Sequence, residues 1–270
     1  MHKTYSKNIY YFQNVGQLCI RFLFLGLLSI FAQAETNNFQ YEVLEKVTHN
    51  SNTFTQGLVI HDGWIFESSG HYGKSFLQKL NVKTNEIEKH LDLPSDVFAE
   101  GITVANDLLY LLSWKAGKAW VIHPDSFELV NTFNYDGEGW GLTNTSKYLI
   151  ISDGSQIIRF FDPSSFELKK TLTVKENGTL VKSLNELEYV EGIIWANIWR
   201  QNRIVGIDII SGEVIGSLDL SELQTQSGAN NIDSVLNGIA YDKNKDAFWI
   251  TGKYWTDRYL IKIFPQNDTE

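Results

Sequence analysis

One phrase recurs along the chain at a spacing that few folds accommodate. Phe54-Thr55-Gln56-Gly57-Leu58, Phe98-Ala99-Glu100-Gly101-Ile102, Glu138-Gly139-Trp140-Gly141-Leu142, Leu184-Asn185-Glu186-Leu187 and Leu236-Asn237-Gly238-Ile239 each open a unit. Aligned on Gly57, Gly101, Gly141, Glu186 and Gly238, the openings lie 44, 40, 45 and 52 residues apart. A period of about 40–45 residues suits a four-stranded sheet repeated around an axis. Within the units, turn signals such as His61-Asp62-Gly63 and Asn106-Asp107 separate short runs rich in branched and aromatic residues. That pattern predicts strands throughout. One short helix is expected near Leu220–Gln224, capped by Asp219 or Ser221, inside an insertion over Ser221–Ser234 that explains the longest spacing.

The fifth unit has chain for only about three strands, whereas Phe39–Val47 reads as a strand with no unit of its own. Donated to the last sheet, it would complete the set and remove an exposed edge. The fold expected is therefore all-β, a single five-bladed β-propeller whose N-terminal strand completes the last blade. A β-sandwich explains the strands but not the spacing.

Residues 1–34 carry Lys3, Lys7 and Arg21 with no acid, an apolar run from Phe22 to Phe31, and Ala32-Gln33-Ala34 at its end. This is the pattern of a cleavable secretory leader and is too short for a comfortable membrane span. Domain boundaries are thus set at 1–34 for the leader and 35–270 for the propeller, with a periplasmic or secreted location and no stable membrane anchor. The only cysteine, Cys19, falls in the leader, so disulfides, thiol nucleophiles and Cys-ligated metal are excluded from residues 35–270. Removing three of 23 basic residues leaves 20 against 32 acids, a charge of −12, which argues against nucleic acid as a partner.

In a radial repeat, matching positions face one another across the axis. The openings would bring together Gln56, Glu100, Trp140, Asn185 and Asn237, and the ends of the second strands Glu67-Ser68, Trp114-Lys115, Asp153, Trp199 and Lys253. Trp64, Trp120, Trp195 and Trp249 lie in apolar runs and read as packing. Trp114, Trp140 and Trp199 stand beside glycine or polar residues and read as pocket walls. Glu100, between Phe98-Ala99 and Gly101, reads either as a partly desolvated carboxyl with a raised pKa or as a solvated turn glutamate. The five histidines after the leader have no ligand spacing and share no repeat position, which argues against a zinc site.

These openings, together with Ala196-Asn197-Ile198-Trp199 and Thr251-Gly252-Lys253, resemble the glutaminyl-peptide cyclotransferases of the plant and bacterial type, in order from about Tyr41 to Phe264. The resemblance implies a five-bladed propeller that converts N-terminal glutaminyl residues of peptides or proteins to pyroglutamate with release of ammonia. It implies Glu100 as acid and base, Asn185 and Lys253 as groups that polarise the γ-carbonyl, and Gln56 as a substrate-holding amide. Phe54, Phe98, Trp114, Trp140 and Trp199 would line the site. No cofactor and no metal are implied, and a monomer is expected. The segment Tyr254-Trp255-Thr256-Asp257-Arg258 departs from the family pattern. The competing reading is a noncatalytic propeller that binds a peptide end or another exported protein, since one fold hosts many functions.

Overall fold

A computed structural model describes residues 37–228 and 230–266. The expected leader lies outside the described residues. The described residues begin with β1 (Asn37–Thr48) and continue through β2 (Thr55–His61), β3 (Trp64–Ser69), β4 (Phe76–Asn81) and β5 (Ile87–Asp92). Next come β6 (Ala99–Ala105), β7 (Leu108–Ser113), β8 (Lys118–Ile122) and β9 (Leu129–Asn134), then β10 (Leu142–Asn144), β11 (Leu149–Ile151), β12 (Ile157–Phe161) and β13 (Leu168–Thr173). After a small hairpin of β14 (Lys175–Glu176) and β15 (Thr179–Leu180) follow β16 (Leu184–Val190), β17 (Ile193–Ile198), β18 (Arg203–Asp208) and β19 (Val214–Asp219). The helix α1 (Ser221–Gln226) precedes β20 (Leu236–Asp242), β21 (Ala247–Gly252) and β22 (Asp257–Pro265).

Tight turns set the strand register. Between β2 and β3 the two linking residues, Asp62 and Gly63, have φ of 50° and 80°; between β6 and β7, Asn106 and Asp107 have 51° and 60°. Two consecutive left-handed residues make the turn whose twist matches a hairpin, and Asn, Asp and Gly tolerate that geometry best. His61 thus pairs with Trp64 and Ala105 with Leu108.

Strands β2–β5, β6–β9 and β10–β13 form three antiparallel four-stranded sheets. The remaining large sheet has eight strands in the order β16-β17-β18-β19-β1-β22-β21-β20. Strand β1 runs antiparallel to β22 from Phe39↔Pro265 to Thr48↔Asp257, so the N-terminal strand does complete the last four-stranded group. Its first two residues also pair in parallel with Gly216 and Ser217 of β19, which fuses that group to its neighbour.

The first strands pack in a closed circuit: β2 against β6 and β20, β6 against β10, β10 against β16, and β16 against β20. Five hydrophobic clusters fill the spaces between neighbouring four-stranded groups. One joins Val59, Phe66 and Leu77 to Ile102, Leu109 and Leu111. Trp195 and Trp249 are core residues, whereas Trp64 and Trp120 are only half-buried at the edge of a cluster. Full burial of one large apolar side chain contributes about 1.5–3 kcal/mol.

The recurring glycines mark where first strands touch. A Cβ on Gly57 would lie 2.6 Å from the Ile102 nitrogen, one on Gly101 2.6 Å from the Trp140 oxygen, and one on Gly141 would strike the Asn185 carbonyl oxygen. The fourth opening has Glu186 at this place. Its buried carboxylate accepts N–H bonds from Leu58 (3.2 Å) on β2 and Ile239 (2.8 Å) on β20.

The helix lies where expected, but neither expected residue caps it: Leu220 occupies the N-cap and makes no side-chain cap bond. Asp219 Oδ1 instead accepts from the Ser221 backbone N–H at 2.8 Å and from its hydroxyl at 2.6 Å.

Candidate active site

The same hydrogen bond positions the site in four groups. The residue just after the second strand donates its N–H to the residue just before the first: Gly70 to Phe54 (3.0 Å), Trp114 to Phe98 (3.0 Å), Trp199 to Ser183 (2.8 Å) and Lys253 to Val235 (2.9 Å). Side chains at these two places, and at the start of the first strand, converge on one end of the circuit. There they line a pocket of about 320 Å³. All nine expected site residues meet in it: Phe54, Gln56, Phe98, Glu100, Trp114, Trp140, Asn185, Trp199 and Lys253.

Glu100, on β6, is 5% exposed. Burial pushes its carboxyl well above the usual carboxylate range; Lys253 opposes the shift and the charge of Glu138 adds to it. The Gln56 side-chain amide donates to Glu100 Oε1 at 3.1 Å, and the Ser68 hydroxyl fixes the Glu100 backbone by donating to its carbonyl at 2.6 Å. Lys253 is 6% exposed, and burial draws its ammonium down to about 8, with Glu100 and Asp233 opposing. Its Nζ lies 4.4 Å from the centre of the Phe54 ring, within cation–π range. Gln56 Oε1 and Asn185 Oδ1 are buried without a hydrogen-bond partner. Unpaired buried acceptors are costly in a finished core and are expected where a ligand's N–H groups complete them.

The aromatic wall is held by one carboxylate. Glu138 Oε2 accepts the indole N–H of Trp114 at 2.8 Å and of Trp140 at 2.9 Å. Trp140 meets Trp199 edge to face at 5.6 Å, and Arg200 lies 4.7 Å over Trp199 at the mouth. This arrangement can enclose a small substrate end in an apolar sleeve, with a proton-carrying carboxyl and a cation at its base.

Five residues of the aligned sets do not line the pocket: Ser68, whose hydroxyl donates to the Glu100 carbonyl, and four others. Glu67 is fully buried outside the pocket, accepting from His49 Nε2 (2.8 Å), Thr55 Oγ1 (2.7 Å) and Gln78 Nε2 (2.8 Å), with Arg258 at 3.4 Å. Asn237 donates to the Thr55 carbonyl at 2.9 Å and ties β20 to β2. Asp153 pairs with Arg159 at 3.5 Å. The exposed Lys115 has its ammonium 3.8 Å from the centre of the Trp114 ring. Conversely, the pocket includes His71, Arg200, Ile232 and Asp233, which the repeat did not mark. Glu138 could have been found, since it stands in the third opening two residues from Trp140. Among the described residues, no group of three or more His, Asp or Glu is placed to hold a metal ion.

The family model described as glutamine cyclotransferase matches residues 22–263. A glutaminyl-peptide cyclotransferase of Arabidopsis thaliana is 34% identical over 229 residues, covering 83% of this chain and 71% of that protein. The crystal structure of Myxococcus xanthus glutaminyl cyclase superposes with a TM-score of 0.81 at 33% identity, covering 86% of this chain and all of that one.

Proposed function

The chain belongs to the glutamine cyclotransferase family, and from that premise we propose that it cyclises N-terminal glutaminyl residues of peptides or proteins to pyroglutamate. The observation that carries this reading is the buried Glu100 carboxyl, which shares one pocket with the Lys253 ammonium and the unpaired acceptors of Gln56 and Asn185.

The substrate's α-amine attacks its own γ-amide carbon, forming the ring C–N bond. Glu100, in its charged form, takes the proton that the amine sheds and delivers it to the amide nitrogen as the second C–N bond breaks and ammonia departs. A carboxyl whose pKa burial has raised suits both halves, because it is a stronger base than an ordinary carboxylate and still a competent acid. The Asn185 amide and the Lys253 ammonium stabilise the oxyanion between the two steps. Lys253 remains charged below its shifted value of about 8, where this duty requires it. Gln56 accepts from the substrate amine. The aromatic walls fold the glutamine side chain toward that amine and keep out water that would hydrolyse the amide.

The same reading takes the four-stranded groups as five blades of a propeller around the closed circuit of first strands. It also takes a monomer as the active unit. Neither a metal nor a cofactor enters any step. Residues 1–34 act as a cleaved leader that delivers residues 35–270 to the periplasm or the exterior. The test is to mix the purified protein with a peptide beginning in Gln and follow ammonia release together with loss of the free amine. Binding of such a peptide without turnover would favour the noncatalytic propeller.

A further inference from the structure

Two residues, one lining the pocket and one adjoining it, hold backbone conformations that side chains rarely adopt. His71, in the turn after β3, has φ of 107°, and Tyr254, directly after Lys253, has φ of 60°. Such conformations persist where surrounding contacts enforce them, and they concentrate at functional sites. Here each side chain supplies the other's contact: His71 Nε2 and the Tyr254 hydroxyl are hydrogen-bonded at 2.7 Å. Both rings also press on Phe54, His71 at 4.2 Å and Tyr254 at 5.1 Å between centres. Phe54 is the ring over which the Lys253 ammonium lies. The backbone continues the clamp, with Tyr254 N–H donating to the Thr53 carbonyl at 2.8 Å.

We infer that His71 and Tyr254 are a positioning pair whose hydrogen bond holds Phe54, and through it the Lys253 ammonium, at the reacting end of the pocket. Neither residue is asked to touch the reacting atoms. The pair bridges the turn after β3 and the turn after β21, two segments that no strand ladder joins, at the place where the last group of strands meets the first. Lys253 is faced by Glu100 from β6, by Asp233 from the segment before β20 and by His71; His71 is faced by Lys253, Lys74 and Asp233. Burial and the Lys253 charge draw His71 below its ordinary value, which disfavours a second cation beside Lys253.

The inference rests on the cyclase reading for what Lys253 does, but not for where Lys253 is held. Its test therefore has two readouts on the full protein and on the variants Tyr254→Phe, His71→Phe and the double variant. These substitutions keep the rings and remove the hydrogen bond. With a glutaminyl peptide amide as substrate, each single variant should lose about tenfold in kcat with KM little changed, and the double variant should lose no more than either single one. In protein carrying ¹³C at the lysine ε-carbon, with the Lys253 signal identified by its absence in Lys253→Arg, the Lys253 titration should rise by about one unit in each variant as water reaches the ammonium. Additive losses, or an unmoved Lys253 titration, overturn the pair. Absence of turnover in the unaltered protein would sink the cyclase reading while the titration still decides the pair.

Discussion

Replacing Glu67 with Gln keeps the size but removes one buried charge and half of the acceptor capacity, because an amide N–H₂ group then stands where one carboxylate oxygen now accepts from two donors. The carboxylate lies where three parts of the chain meet: His49 just after β1, Arg258 on β22, and β3 itself. Burial alone would raise its pKa, yet His49 and Arg258 hold it down at about 2, against an ordinary value of 4.5. A fall of about 2.5 units corresponds to roughly 3 kcal/mol of stability. An independent comparison agrees, because removing one partner of a buried ion pair costs about 3–5 kcal/mol. For a domain of this size that is a fall of roughly 10 °C in melting temperature. The group is lowered on folding, so its contribution is complete above pH 4.5 and disappears as pH falls through about 2. Urea unfolding followed by tryptophan fluorescence, for both proteins at a series of pH values, measures this directly. The gap between them should be full at pH 7 and should narrow steadily below pH 4.5. A gap under about 1 kcal/mol at pH 7, or one that stays constant into acid, would refute the claim that this charge locks the first and last groups of strands together.

Glu188 should show the opposite pH dependence. Burial raises it to about 7, so its contribution is present below its unfolded value of 4.5 and is lost as pH rises through 7. The protein should therefore lose stability from weak acid into weak base, and Glu188→Gln should flatten that decline in thermal melts at each pH. Trp140→Ala removes both the edge-to-face contact with Trp199 and one of the two N–H groups on Glu138, and should lower kcat/KM by about tenfold with a small change in melting temperature. Turnover after exhaustive treatment with a chelator should equal that of untreated protein; loss restored by a divalent metal would favour metal-dependent chemistry.

What the sequence made legible was the part that repeats. Gly57, Gly101 and Gly141 recur because the backbone of the neighbouring group approaches too closely for a Cβ, so the period is in large part a packing constraint written into residue type. Strand β1 was recognisable because a strand pattern without a unit matched a unit without enough strands. The site residues on first strands followed from the same register. The error at Glu67 shows where register fails. The place after the second strand is Gly70 in the first group, not Glu67, because β3 runs on to Ser69 and its alternation turns Glu67 away from the pocket. Side-chain size conceals this: a Cβ on Gly70 would collide with the Phe98 ring, so the matching position carries no side chain to recognise. His71, Arg200 and Asp233 stand on turns and insertions of differing length, where no period exists to place them. Asn237 looked like a channel residue by alignment, and only the three-dimensional meeting of β20 with β2 reveals its tie to Thr55.

The central claim is that Glu100 carries the proton between the two halves of the reaction. Glu100→Gln should keep the melting temperature within a few degrees, since the buried charge is already disfavoured and Gln fills the same space beside Gln56. The decisive measurement is kcat for ammonia release from a glutaminyl peptide by the folded variant. A fall of about 10²–10⁴ is predicted, the usual contribution of general acid and base catalysis. A variant that turns over at the unaltered rate would contradict the account.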